Sequence, residues 1–160
     1  MNNIDLPERM EEGLCISFTA RNAPGAIFVS MTPIILLAES IIHESVHNIV
    51  YNASRLIEFV KNDSNVLVDS PFRKDKRPIY GVLHQSIVLH YLVEFYNEIM
   101  HLTDHDNIQR NINAIKKRGK ELRSDLSMSI DILSKNKSEL LNEGKSLLNL
   151  MKKTMYDSSN

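Results

Sequence analysis

His43, Glu44 and His47 stand in the order His-Glu-Ser-Val-His, an HExxH pattern inside a long apolar stretch. An α-helix turns once every ~3.6 residues, so side chains four apart lie one above the other. Two imidazoles stacked this way can close on one metal ion. Glu44, one residue round from His43, is placed to orient a histidine or a bound water, or to move a proton as a catalytic base. The pattern is short enough to arise by chance, so its meaning depends on its surroundings. A pair of helical histidines needs a third protein ligand to make an open catalytic site. The metzincin pattern requires glycine at position 50 and histidine at position 53, where the chain has Val50 and Ala53, and this excludes that class. Glu94 and Glu98 are candidate third ligands for a gluzincin-like site, and His84 is the other. Three histidines leave three open positions, which suits non-haem iron that also binds a chelating co-substrate and dioxygen.

The elements that must carry these residues can be read in chain order. Residues 14–19 and 26–31 are rich in β-formers and flank a Pro24-Gly25 turn signal, which predicts a small β-hairpin packed against helices. Thr32-Pro33 is a good helix start. The helix should run to Lys61 and stop in the polar cluster Asn62-Asp63-Ser64-Asn65. Apolar residues occupy most of its sides, which predicts a central, buried rod. Residues 62–79 read as a loop long enough to favour a binding role. A second helix, antiparallel to the first, is expected from about Ile79 to Leu102, with His84, Ile87, Val88, Tyr91 and Phe95 on one face. Residues 104–135 and 138–155 place leucines and isoleucines at helical spacing among charges. They predict two amphipathic helices that pack on the core or on a partner, a second copy of the chain included. The expected architecture is mainly α, a single domain over residues 1–160, with a metal-binding core to residue 103 and C-terminal helices beyond it.

Composition narrows the class further. At 160 residues, 42% hydrophobic and 24% charged, the chain is long enough for a real core and is neither low-complexity nor disordered. A net charge of −1 gives no basic field for nucleic acid or an anionic membrane. The single cysteine, Cys15, precludes an intrachain disulfide and reads as a small core residue. The N-terminal stretch lacks the pattern of a signal peptide, and the longest apolar run is too short to span a bilayer, so a cytoplasmic location is expected. His90, His101 and His105 complete no ligand pattern and read as structural or surface residues.

Three segments in order, His43-Glu44-Ser45-Val46-His47-Asn48, then Ser70-Pro71-Phe72-Arg73-Lys74-Asp75-Lys76-Arg77-Pro78, then Gly81-Val82-Leu83-His84, resemble the HExxH-type, 2-oxoglutarate-dependent peptide β-hydroxylases. The likeness covers roughly residues 38–96; Lys76 stands where a proline is expected, and Gln85 replaces a small residue. The resemblance implies iron(II) held by His43, His47 and His84. It implies 2-oxoglutarate as co-substrate and, as substrate, a ribosomally made precursor peptide hydroxylated at a β-carbon. The distal carboxylate of the co-substrate calls for a guanidinium, whose planar fork matches it in two hydrogen bonds. Arg77 and Arg73 are the candidates, with Tyr80 a possible hydroxyl partner. In that chemistry Glu44 orients a histidine or a water; in a zinc peptidase it would be the general base.

Overall fold

The computed structural model describes residues 17–19, 25–30, 33–61, 66–70, 73–102 and 106–157; the expectations placed on Cys15, Pro24, Thr32 and His105 lie outside them. The described elements are mainly helical, with a small antiparallel hairpin near the N-terminus. Two compact units divide the chain, Met1–Ala53 and Ser54–Asn160. The boundary falls inside the stretch read from sequence as one core. Among the described residues no helix is long and apolar enough to cross a membrane.

The first unit holds strands β1 (Ser17–Thr19) and β2 (Ile27–Val29) and helix α1 (Ile34–Ala53). The strands pair in antiparallel register, Ser17 with Val29, Phe18 with Phe28 and Thr19 with Ile27. The rings of Phe18 and Phe28 stack 4.6 Å apart on one face, a favourable cross-strand pair. Gly25 has φ +83°, the left-handed region where only glycine is unstrained. The hairpin packs on α1, as expected for two strands that are marginal alone.

Helix α1 opens with Leu37 N–H bonding the carbonyl of Pro33 at 2.9 Å. The sequence carries the helix to Lys61, but it stops at Ala53. The backbone of residues 59–61 is engaged elsewhere: Leu141 N–H bonds Phe59 O at 3.0 Å and Lys61 N–H bonds Glu139 O at 2.9 Å. This distant pairing outweighs a local helical preference of a few tenths of a kcal/mol per residue. Nor is α1 buried on most sides. Glu44, Val46, Asn48 and Val50 are buried, whereas Ile34, Leu36, Ile41 and Ile49 are exposed.

In the second unit the described part of the stretch expected to be a loop, residues 66–70 and 73–79, holds two strands. Strands β3 (Leu67–Ser70) and β4 (Arg73–Pro78) form an antiparallel hairpin with an irregularity between Val68 and Ser70. Pro78 ends β4 and caps α2 (Ile79–His101), whose first N–H bonds Val66 O at 3.0 Å. Helix α2 matches its predicted span and is the buried rod, its inward residues including Ile79, Leu83, Val88, Leu92, Val93 and Tyr96. Helix α3 (Asp106–Lys135) lays Ile115, Leu122, Leu126, Ile130 and Leu133 into that core, and α4 (Asn142–Asp157) adds Leu148 and Met151. The apolar stripes of both amphipathic helices are therefore used within the unit. Arg123 also donates to Asn97 Oδ1 at 2.6 Å, tying α3 to α2.

Where α4 begins, Gly144 lies against the 59–61 segment, and a Cβ there would sit 2.3 Å from the carbonyl oxygen of Phe59. Gly144→Ala should therefore lower unfolding stability by about 1–3 kcal/mol, an overpacking cost. Gly81→Ala meets nothing within 4 Å and should leave stability unchanged or raise it by up to about 1 kcal/mol through helix propensity. Urea unfolding of the two variants side by side measures the difference.

Candidate metal centre

Both histidines of the HExxH stretch project from one side of α1, as the helical repeat requires. Their Nε2 atoms lie 3.0 Å apart and the rings meet nearly edge to face, 4.7 Å between centroids. With neutral rings this is an N–H···N hydrogen bond, one imidazole donating and the other accepting. Two nitrogens each about 2.1 Å from a shared ion lie about 3.0 Å apart at a right angle and about 3.4 Å apart at the tetrahedral angle. The observed separation is that of the hydrogen bond itself and lies near both values, so the pair could hold a divalent cation in place of the shared proton. Tyr51 continues the row, its ring stacked 6.0 Å from that of His47.

Burial pushes the His47 imidazole below its ordinary value of 6.5; His43 beside it adds to the effect and Glu44 opposes it. A neutral imidazole is the form that binds a metal.

Glu44 is turned to the hairpin. It is 4% exposed, and its Oε1 accepts a hydrogen bond from Ser17 Oγ at 2.8 Å. A general base of a peptidase has to reach a bound water; here one carboxyl oxygen is already engaged by a strand hydroxyl.

The other residues singled out from sequence belong to the second unit. His84 sits in the second turn of α2, is 7% exposed, and its ring lies 5.9 Å from that of Tyr80. The Tyr80 hydroxyl is buried without a hydrogen-bond partner among the described residues, so it can donate to a ligand acceptor. Arg77 lies in β4 opposite Val68 and its Nε is 3.8 Å from Asp75 Oδ2, with side chains 36% and 70% exposed. A pair this open binds weakly, which leaves the guanidinium available to an anion. Arg73 also lies in β4. Glu94 is half-buried on α2 and Glu98 is exposed. Among the described residues no group of three or more His, Cys, Asp and Glu side chains is arranged to hold a metal ion; of the candidate ligands, the ring nitrogens of His43 and His47 are the ones the structure brings into contact.

Two features escaped the sequence reading. Asn48, directly after His47, is buried and bonded to the hairpin. His90, expected to be structural or superficial, is buried with its Nδ1 unpartnered among the described residues. Burial lowers its pKa and Glu94 opposes the shift.

No protein-family model matches the chain, and no curated protein matches it significantly.

The two depressed histidines fix the sign of a pH dependence. Each binds a proton more weakly folded than unfolded, so the stability present above pH 6.5 is lost as pH falls from there through the lowered folded values. Denaturant unfolding between pH 7.5 and 5 should show this decline, and His90→Gln should flatten it.

Proposed function

We propose that the chain is an iron(II)- and 2-oxoglutarate-dependent oxygenase that hydroxylates the β-carbon of a residue in a ribosomally synthesised precursor peptide. The observation that carries this reading is the 3.0 Å separation of the His43 and His47 nitrogens, within reach of one shared metal ion. A six-coordinate centre has room for a chelating oxo acid and dioxygen beside its protein ligands. Iron, when bound, supplies the coupling of oxo-acid decarboxylation to removal of a hydrogen from the peptide.

The chain's own residues divide the remaining work. His43 and His47 would hold the ion as neutral imidazoles, and the resemblance implies His84 as the third ligand. Arg77 offers two parallel N–H donors to the distal carboxylate of the co-substrate, with Arg73 as the neighbouring alternative. Tyr80, whose hydroxyl has no partner among the described residues, would donate a further hydrogen bond. Glu44 needs to transfer no proton in this chemistry, and its bond to Ser17 agrees with that role. The same bond counts against a zinc peptidase, which needs the carboxylate free beside its water.

Under anaerobic conditions the protein should bind iron(II) and 2-oxoglutarate together and develop the weak visible charge-transfer band of that chelate. His43→Ala and His47→Ala should abolish the band. His84→Ala should abolish turnover while circular dichroism keeps its helical signal, and retained turnover would remove His84 from the ligand set. Arg77→Ala should raise the 2-oxoglutarate concentration needed without loss of iron. A tightly held zinc ion with no affinity for 2-oxoglutarate would overturn the oxygenase reading in favour of peptidase chemistry.

A further inference from the structure

Each histidine of the pair is followed by a buried polar residue that the hairpin holds. Thr19 Oγ1 donates to the main-chain carbonyl of Glu44 at 3.1 Å, beside the Ser17 bond to its side chain. Gly25 N–H donates to Asn48 Oδ1 at 3.1 Å, and Asn48 Nδ2 donates to the carbonyl of Ala26 at 3.2 Å and, more loosely, to Thr19 Oγ1 at 3.5 Å. Strand alternation explains the choice of residues: Ser17 and Thr19 share one face of β1, while Phe18 joins the aromatic stack on the other. Helical geometry sets the rest. Residues 44 and 48 lie about 100° round the helix from residues 43 and 47, so the hydrogen bonds to the hairpin and the imidazole pair occupy neighbouring lines of α1.

We propose that Glu44 and Asn48 are positioning residues, a two-point clamp through which the β1–β2 hairpin fixes the turn of α1 that carries His43 and His47 and keeps their nitrogens at chelating separation. The inference rests on the metal-binding reading of the pair. It differs from it in assigning the glutamate of the motif, together with the asparagine after it, to the support of the ligands and not to proton transfer. A clamp of this kind acts on metal affinity itself: loss of a residue that orients a ligand histidine weakens binding about 10- to 100-fold. Asn48 is suited to the task because one amide both accepts from Gly25 and donates to Ala26, so it reads the main chain of the hairpin in two directions.

The test uses the full chain and cobalt(II) as probe, followed by its visible d–d absorption and by calorimetry, with His43→Ala as the variant that loses the ion. Asn48→Ala and Glu44→Ala should each weaken cobalt binding about 10- to 100-fold and alter the band. Glu44→Gln, which keeps an oxygen acceptor for Ser17, should restore most of the affinity, whereas a base would not survive that change. Should Asn48→Ala fail to fold, Ser17→Ala probes the same clamp from the hairpin without touching α1. In metal-free urea unfolding, Ser17→Ala and Glu44→Ala should be non-additive. Wild-type cobalt affinity in folded Asn48→Ala and Glu44→Ala, or strict additivity in the cycle, overturns the clamp alone. A wild-type chain that takes up no cobalt overturns the metal-binding reading and the positioning role with it.

Discussion

The repeat of the α-helix places residues 43 and 47 on one line and residues 44 and 48 on the next, and the first unit is built on that offset. One line carries the imidazoles and the other carries the hydrogen bonds to the hairpin. Separating the two functions by about 100° lets a buried carboxyl and a buried amide be satisfied by strand hydroxyls and turn main chain while the imidazoles beside them meet each other. Buried polar groups need partners. Here the need is met by a two-stranded element that also depends on the helix for its own stability.

The second unit follows a different logic. Helix α2 is apolar on nearly every side because α3 and α4 cover it, and polar residues survive within it only with specific arrangements. Ser86, fully buried, returns its hydroxyl to the carbonyl of Val82 at 2.7 Å. The Tyr80 hydroxyl and His90 Nδ1 are the exceptions, buried without partners among the described residues. A buried group without a partner costs about 1–3 kcal/mol, and Ser134 Oγ on α3 is a third such atom among the described residues. The Tyr80 hydroxyl lies one turn from His84, the residue that the resemblance singles out.

Much of this was legible in the sequence, and the failures have physical causes. The span of α2 was marked by the apolar face carrying Ile87, Val88, Tyr91 and Phe95, the first hairpin by its β-rich stretches, and α3 and α4 by leucines at helical spacing among charges. The histidine pair was legible because both partners sit on one helix four residues apart. The end of α1 was not, because Leu56, Ile57, Phe59 and Val60 continue an apolar pattern while the backbone of residues 59–61 pairs with residues 139–141. Strand β4 was hidden because Arg73-Lys74-Asp75-Lys76-Arg77 lacks the alternation that announces a strand. Asn48 was overlooked for a related reason: its partners, Gly25 and Ala26, lie more than twenty residues earlier, and no local signal joins them.

The bridge between Val60 and Leu140 also bears on the order of assembly. It joins strands of backbone about eighty residues apart, so the entropy of closing that loop must be met before the contact gives any return. On a ribosome Val60 emerges long before its partner exists, and α2 and α3 can associate in the interval through nearer neighbours. Association of α2 with α3 shortens the free chain that this contact has to close.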